Sequence, residues 1–208
     1  MGRSLRDPKP EATVLLLGRR FGRMNETALG PTTTPANDGG ALGIAVVTIA
    51  ADRTLATDEA GEAIVSALEA SGHDVATREH VSPEHDGVQS IVVRVIERDD
   101  VDIVITAGSA SVEPDDVAIE AVEPLLDKEL TAFGELYTAL AYEEVGTRAV
   151  AVRTLAGVAD GKPIFCLPGT AAGARLGAEE LILPEARHLV TLAYGPEEDG
   201  TDDASDSS

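Results

Sequence analysis

The residue types best suited to chemistry stand together in the middle of the chain. An apolar run at residues 103–105 has the composition of a buried parallel strand, and small and hydroxyl residues (Thr-Ala-Gly-Ser-Ala-Ser) follow it at 106–111. Pro114, Asp115 and Asp116 come next, a pattern that predicts the first turn of a helix. A strand, a small-residue turn and a helix N-terminus together commonly bind an anion such as phosphate, so we expect an anion site here.

A second turn of the same kind follows the apolar run at residues 163–167 and spans 168–173. In a parallel sheet both turns lie at the C-terminal ends of their strands, where α/β proteins bind ligands. The alternative is that both are ordinary strand–helix turns, because every α/β fold contains such turns. On the first interpretation, the predicted ligand-contacting residues are Thr106, Gly108, Ser109, Ser111, Asp115, Pro168, Gly169 and Thr170.

Acidic side chains beside these turns have two interpretations. Asp116 either caps a helix and interacts with its dipole, or holds a Mg²⁺ ion, because a bare carboxylate would repel a phosphate. Glu84 and Asp86 stand at the start of the preceding predicted helix. They either cap that helix or act at the same edge of the sheet. The chain has no GxxxxGK[ST], GxSxG, HExxH or CxxC motif, so motif matching leaves the metal ligands unknown.

Apolar periodicity places these turns within a chain of alternating strands and helices. It predicts strands at 42–50, 74–81, 103–105 and 163–167, a strand or short helix at 148–156, and helices at 58–70, from 83, from 116 to 124, and at 133–144, 171–183 and 184–194. This order predicts an α/β fold, a three-layer α/β/α sandwich with a mostly parallel sheet. Residues 1–40 are predicted to be a flexible N-terminal extension, 41–194 the α/β domain, and 195–208 a disordered acidic tail.

The amino-acid composition restricts the classes of partner and the cellular location that we expect. The net charge of −21, with only three lysines, is typical of a halophilic cytoplasmic protein whose acidic surface stays hydrated in salt. This charge argues against nucleic acid and anionic membranes as partners, because both require basic patches. No apolar run approaches the roughly 20 residues of a membrane span, and no secretory signal is evident. The single cysteine, Cys166, excludes an intrachain disulfide and is predicted to be a buried structural thiol.

The chain from residue 41 to about 194 resembles the molybdenum cofactor biosynthesis proteins of the MoaB/Mog type, the molybdopterin adenylyltransferases. The matching pieces occur in the family's order and spacing. They are residues 42–48, 53–54, 71–75, 99–102, 133–136, 142–146, 156–161, 163–169 and 179–184.

This resemblance implies both a reaction and an assembly. The family joins the terminal phosphate of molybdopterin to AMP from Mg-ATP and releases pyrophosphate. The implied ligands are therefore molybdopterin, ATP and Mg²⁺. The family's two catalytic carboxylates correspond to Asp116 and to Glu84, or to Asp86 if the gap is placed differently. The resemblance also implies a homotrimer or homohexamer.

The turn at residues 106–111 departs from the family's TTGGTG signature. Ser109 and Ser111 stand where the family has glycine, and Ala107 and Ala110 stand where it has threonine. If the family's glycines adopt positive φ, a Cβ there costs about 1 kcal/mol or more. Two hypotheses follow: an adenylyltransferase with an altered pocket, or a degraded paralogue that binds pterin or nucleotide, or serves as an assembly subunit, without adenylyl transfer. A related domain in competence/damage-inducible proteins suggests a third possibility, a nucleotide-derived substrate.

Overall fold

A computed structural model describes residues 40–194. The predicted extension (but for Gly40) and the predicted acidic tail lie outside these residues. Within residues 40–194, six strands form one sheet in the order β2-β1-β3-β6-β5-β4. The strands β1, β2, β3 and β6 are mutually parallel, β5 is antiparallel to β6, and β4 is antiparallel to β5. Their bounds are β1 Gly43–Ile49, β2 Asp74–Val81, β3 Ile103–Ala107, β4 Lys128–Glu129, β5 Leu155–Ala159 and β6 Lys162–Leu167.

Helices cover both faces of the sheet. They are α1 (Glu59–Ala70), α2 (His85–Ile96), α3 (Ala118–Val122), α4 (Thr131–Val145), α5 (Ala171–Gly177) and α6 (Leu183–Tyr194). Apolar side chains of α1, α4, α5 and α6 pack with Ile44 and Val46 on one face. Those of α2 and α3 pack with Ala45 and Val47 on the other. Because the central strands are buried on both faces, their sequences are continuous apolar runs. The predicted three-layer α/β/α sandwich with a mostly parallel sheet is therefore confirmed.

The predicted and observed structures differ most at the side of the sheet formed by β5 and β4. The segment predicted as a strand or a short helix contains both, a 3₁₀ helix at Gly146–Ala151 followed by β5. Asp160 and Gly161 connect β5 to β6, and both have positive φ, at 49° and 74°. Two such residues form the tight turn that joins antiparallel strands. The strand β4 was not predicted, because its two residues are charged and exposed.

The last helical region is continuous from α5 to α6. A π-helical segment, Ala178–Ile182, joins the two helices, in place of the direct junction at Pro184 that the sequence predicted. Proline lacks the N–H that a regular α-helix needs at this point, and a π segment is one way to accommodate the missing bond. Among residues 40–194, no helix is both long and apolar enough to cross a membrane.

Close packing of α5 on the sheet depends on Gly177. A Cβ at this position would lie 2.5 Å from Leu167 Cδ2 and 3.2 Å from the ring of Tyr137. The φ of Gly177 is −64°, so its backbone is ordinary helix and the restriction is purely steric. Cys166 lies in the opposite core as predicted, and burial raises the pKa of its thiol to about 12.

Replacing this glycine tests the packing. We expect Gly177→Ala to lower the free energy of unfolding by about 1–3 kcal/mol, because the new methyl group overpacks a filled core. Gly134→Ala in α4 is the matched control, since its Cβ would meet only Thr154 Oγ1 at 3.7 Å. The control should raise stability by about 0.5–1 kcal/mol through helix propensity. Urea unfolding measures both changes, and equal effects at the two sites would contradict the packing role of Gly177.

His73 joins the start of β1 to the end of α1. Its Nδ1 accepts a hydrogen bond from the Leu42 N–H at 3.3 Å, and the side chain is buried. Burial lowers the pKa of His73, because the imidazolium would lose its hydration, and the charge of Arg187 lowers it further. The carboxylate of Asp74 opposes both effects.

The lowered pKa predicts a loss of stability in mild acid. The unfolded chain takes up the proton near the ordinary pKa of 6.5, whereas the folded chain resists it until a lower pH. Stability is therefore constant above this value and falls as the pH drops below it. Melting temperatures measured from pH 7.5 to 5.5 should show this decline, and His73→Gln should flatten it. The exposed His188→Gln serves as the control and should keep the wild-type slope.

Candidate functional site

Three turns meet at one edge of the sheet because β1, β3 and β6 run parallel and end together. They enclose a cavity of about 340 Å³, here named the edge cavity. Its lining residues are Arg53, Gly108, Ser109, Ala110, Ser111, Glu113, Asp116, Ala151, Val152, Arg153, Pro168, Gly169 and Thr170.

Gly108 allows two of these turns to touch. Its φ is 104°, and a Cβ there would lie 2.4 Å from the carbonyl oxygen of Ile49. A Cβ on Gly169 would likewise lie 2.9 Å from the Cα of Gly108. Both positions therefore require glycine, one for its backbone conformation and both for the close approach of main chains.

Ser109 keeps the left-handed backbone that is expected of a glycine, with a φ of 51°. Its hydroxyl accepts a hydrogen bond from the Val117 N–H at 3.1 Å, and its carbonyl oxygen accepts one from Ala118 N–H at 2.8 Å. The strain of about 1 kcal/mol is thus offset by a hydrogen bond of similar size that glycine would lack. Ser111, the other residue that replaces a glycine, has no positive φ. The conformational cost expected for a Cβ at positive φ therefore applies only to Ser109 of these two residues.

Asp116 stabilises the turn and does not start the helix. Its Oδ2 accepts a hydrogen bond from the Ser111 N–H at 2.7 Å, and its own N–H donates to Glu113 O at 3.1 Å. The predicted helix start at Pro114 is wrong, because α3 begins at Ala118. The acidic residues are instead part of a turn that folds back on Ser111. The Asp116 carboxylate is half-buried and lines the edge cavity.

A smaller cavity of about 220 Å³ adjoins the first across Asp116. We call it the acidic cavity, since among residues 40–194 four carboxylates and one cation, Arg53, line it. Its polar lining residues are Asp52, Arg53, Ser109, Glu113, Asp115 and Asp116. The guanidinium of Arg53 holds the pKa of the Asp52 carboxyl below its usual value.

Two arginines hold the turns from either side. Arg53 Nη1 donates to Gly169 O at 2.9 Å, and so ties the turn after β1 to the turn after β6. Arg153 Nη1 donates to Ser111 O at 3.1 Å, and its Nη2 donates to Glu120 Oε1 at 2.6 Å. This pairing lowers the pKa of the Glu120 carboxyl. Both guanidinium groups line the edge cavity, where they can bind an anion.

Sequence reasoning missed the role of these arginines. Arg53 was noted only as part of the family resemblance, and Arg153 was not singled out. The available signal was their scarcity: the chain has 16 Lys and Arg against 37 Asp and Glu. In so acidic a chain, an arginine next to a turn is a candidate anion ligand.

The structure brings most of the predicted residues together. Gly108, Ser109, Ser111, Asp116, Pro168, Gly169 and Thr170 line the edge cavity, and Asp115 lines the acidic cavity. Thr106 lines neither, because it lies inside β3, fully buried beside Cys166.

The second predicted carboxylate is not in the cavity wall. Glu84 is the N-cap residue of α2 and Asp86 lies in its first turn. Both are exposed, and neither lines the edge cavity or the acidic cavity. Their neighbour Pro83 does line the acidic cavity. Within residues 40–194, no group of three or more His, Cys, Asp and Glu side chains is arranged to hold a metal ion.

Comparisons with known proteins identify relatives of this chain. Residues 45–188 match the family model described as a probable molybdopterin binding domain. Molybdenum cofactor biosynthesis protein B of Bacillus cereus is 38% identical over 145 residues, which are 69% of this chain and 86% of that protein. Its counterpart from Staphylococcus aureus (strain Mu50) is 39% identical over 149 residues, which are 70% of this chain and 88% of that protein.

Solved structures support the same relationship. A crystal structure of molybdenum cofactor biosynthesis protein B aligns with a TM-score of 0.72 at 35% identity, covering 74% of this chain and 96% of that one. The tungsten cofactor synthesizing protein MoaB from Pyrococcus furiosus aligns with a TM-score of 0.68 at 28% identity, covering 76% and 99%. From its matching segments, its sheet and its paired turns, this chain belongs to the MoaB/Mog-type family of molybdenum cofactor biosynthesis proteins.

Proposed function

We propose that this protein adenylylates molybdopterin with Mg-ATP. A terminal phosphate oxygen of molybdopterin forms a bond to the α-phosphorus of ATP. The bond from that phosphorus to the bridging oxygen of pyrophosphate breaks, and pyrophosphate leaves with the electron pair. The observation that carries the proposal is the edge cavity, where Asp116 lies beside two touching turns with Arg53 and Arg153 in the wall.

The arginines would bind and orient the phosphates. Each guanidinium has five N–H donors, and two of them are used on backbone or carboxylate partners here. The remaining donors are available to phosphate oxygens from a side chain that is already held in place. Phosphoryl transfer depends mainly on such positioning and charge stabilisation.

The residues of the acidic cavity fit Mg²⁺ bound to a nucleotide. Mg²⁺ takes one or two carboxylates together with substrate phosphates and waters, so it does not require a three-ligand protein cage. Asp115 and Asp116 would hold it, and the ion would neutralise charge on the phosphates as pyrophosphate leaves. Four carboxylates around a bare phosphate would repel it, which favours a metal-bound form.

The role of Glu84 as the second catalytic carboxylate stays a prediction. Its exposed position at the N-cap of α2 places it next to Pro83, which lines the acidic cavity. Asp86, one turn into α2, is the alternative. The homotrimer or homohexamer and the cytoplasmic location also stay predictions.

A second candidate function rests on a specific observation. Ser109 places a side chain where the family has glycine, and Asp116 Oδ2 is engaged with the Ser111 N–H. These features favour a paralogue that binds pterin or nucleotide, or serves as an assembly subunit, without adenylyl transfer.

Pyrophosphate release from molybdopterin, ATP and Mg²⁺ in high salt tests the proposal. We expect Asp116→Asn to lower turnover about 100-fold, because the Mg²⁺ ion that would neutralise the developing negative charge loses a carboxylate ligand. The asparagine oxygen can still accept from the Ser111 N–H, so the melting temperature should fall by no more than about 2–4 °C, the shift that 1 kcal/mol produces in a domain of about 150 residues. Asp116→Ala is the comparison, since it loses both the charge and the turn hydrogen bond and should melt earlier.

Two results would contradict adenylyl transfer by this site. Wild-type protein that binds molybdopterin but releases no pyrophosphate would support the second candidate. Full turnover by Asp116→Asn would show that Asp116 only caps the turn.

Arg153 should set the affinity for phosphate groups. We expect Arg153→Gln to weaken binding of Mg-pyrophosphate about tenfold or more, because a charge-assisted pair of hydrogen bonds is lost. Arg153→Lys keeps the charge but not the planar guanidinium. Its affinity for Mg-pyrophosphate should therefore lie between those of wild type and Arg153→Gln. Calorimetry gives the affinities. Arg94→Gln on the exposed face of α2 is the control, and an equal loss there would indicate a general charge effect.

A further inference from the structure

Arg53 reaches the edge cavity from the loop that joins β1 to α1, residues 50–58, here named the Arg53 loop. The start of this loop is held by the Ala50 N–H, which donates to Val81 O at the end of β2 at 3.1 Å. Most residues of the loop are exposed, and Asp58 at its far end is buried. The position of Arg53 therefore depends on how Asp58 is held.

The carboxylate of Asp58 fastens the loop to two strands. Its Oδ2 accepts a hydrogen bond from Thr48 Oγ1 at 2.5 Å, and Arg78 Nη2 lies 3.5 Å from the same oxygen. Arg78 Nη2 also donates to Asp58 O at 3.4 Å, and its Nη1 donates to Glu62 Oε2 at 2.9 Å. Because Thr48 belongs to β1 and Arg78 to β2, the end of the loop is bonded to both strands.

Asp58 does not act as an ordinary helix cap. It is the N-cap residue of α1, where an aspartate commonly accepts a hydrogen bond from the first turn, but its side chain makes no such bond. The side chain is fully buried and bonds Thr48 and Arg78 instead. Gly61 leaves room for this arrangement, since a Cβ there would collide with Asp58 Oδ2. A carboxylate that gives up its hydration is held in place by such partners, because without them its burial is strongly unfavourable.

These three residues lie outside the phosphate site. Thr48, Asp58 and Arg78 line neither the edge cavity nor the acidic cavity. Any effect on the site passes through Arg53, whose Nη1 donates to Gly169 O at 2.9 Å. If the end of the loop were released, Arg53 would sample more positions, and phosphate binding would have to restrict them at a cost in entropy.

We propose that Thr48, Asp58 and Arg78 are positioning residues, which hold the Arg53 loop so that the Arg53 guanidinium is in place before a phosphate enters the edge cavity. This inference rests on the proposed function and deepens it, since it adds three residues outside the cavity to the phosphate site.

Binding of Mg-pyrophosphate, measured by calorimetry, tests this role without turnover. Thr48→Val keeps the shape of the side chain but removes the donor to Asp58, and should weaken binding about fivefold or more. Thr48→Ser keeps the hydroxyl and should bind within about twofold of wild type.

Arg78→Met gives an independent variant, because Arg78 is partly exposed on the edge strand β2 and its loss should be tolerated by the fold. It removes the other partner of Asp58 and should also weaken Mg-pyrophosphate binding about fivefold or more. Arg94→Met is the matched control, since it removes the same charge from the exposed face of α2 and should keep the wild-type affinity.

A double-mutant cycle with Arg53→Gln separates positioning from a general loss of stability. If Thr48 acts through Arg53, Thr48→Val should change the affinity less than about twofold in the Arg53→Gln background. Val190→Ala in the core beside α6 is the stability control. It should lower the melting temperature and leave Mg-pyrophosphate affinity at the wild-type value.

The inference is overturned if wild-type protein does not bind Mg-pyrophosphate, if Thr48→Val binds it as tightly as wild type does, or if Thr48→Ser is as weak as Thr48→Val. It is also overturned if the effect of Thr48→Val persists in the Arg53→Gln background, or if Val190→Ala or Arg94→Met causes an equal loss. Should Thr48→Val fail to fold, Arg78→Met in the same cycle decides between these outcomes.

The probe needs no adenylyl transfer, so the positioning role and the proposed reaction can fail separately. Coupled effects of Thr48→Val and Arg53→Gln without pyrophosphate release from molybdopterin and ATP would retain the positioning role and reject the reaction. Pyrophosphate release with no such coupling would do the reverse.

Discussion

The close approach of main chains at the C-terminal edge of the sheet is the constraint on which the site depends. The turn after β3 passes within contact distance of Ile49 O, at the end of β1, and of Gly169, after β6. No side chain fits between them, so Gly108 and Gly169 are required. Because the three strands are parallel and in register, this approach brings Asp116, Arg53 and Arg153 around one cavity although they lie far apart in sequence. The two arginines then hold the turns through backbone carbonyls.

Much of this architecture could be predicted from residue patterns. Continuous apolar runs identified the central strands, and the turns after β3 and β6 were correctly expected to share an edge. Thr106 was misplaced because apolar periodicity ended β3 at residue 105, whereas its hydrogen bonding continues to Ala107. The helix start at Pro114 was wrong because Asp116 bonds Ser111 across a turn, a contact that capping rules do not anticipate. Arg153 was missed because it follows a 3₁₀ helix whose pattern was ambiguous.

The altered signature shows how a turn can change residues and keep its path. Gly108 is retained where its φ is 104° and a Cβ would strike a backbone oxygen, whereas Ser109 replaces glycine where φ is 51°. Its hydroxyl bonds Val117 N–H and so contributes an interaction that glycine lacks. Substitution at Gly108 is thus limited both by φ and by the nearby backbone oxygen, whereas a φ of 51° lies in the left-handed region that other residues can adopt. Gly177 is likewise required by close packing, because the short distance between α5 and the sheet leaves no space for a Cβ.

The acidic surface around two tethered arginines has a kinetic consequence. Anionic substrates approach a chain of net charge −21, so long-range electrostatics oppose encounter even though the cavity itself attracts phosphate. Added salt shortens the range of this repulsion to about 3 Å at 1 M, whereas the direct contacts inside the cavity are screened less. Association should therefore accelerate as salt rises, the opposite of the usual behaviour of a phosphate-binding protein. The guanidinium groups, fixed in advance by Gly169 O and Ser111 O, act only after the substrate has arrived.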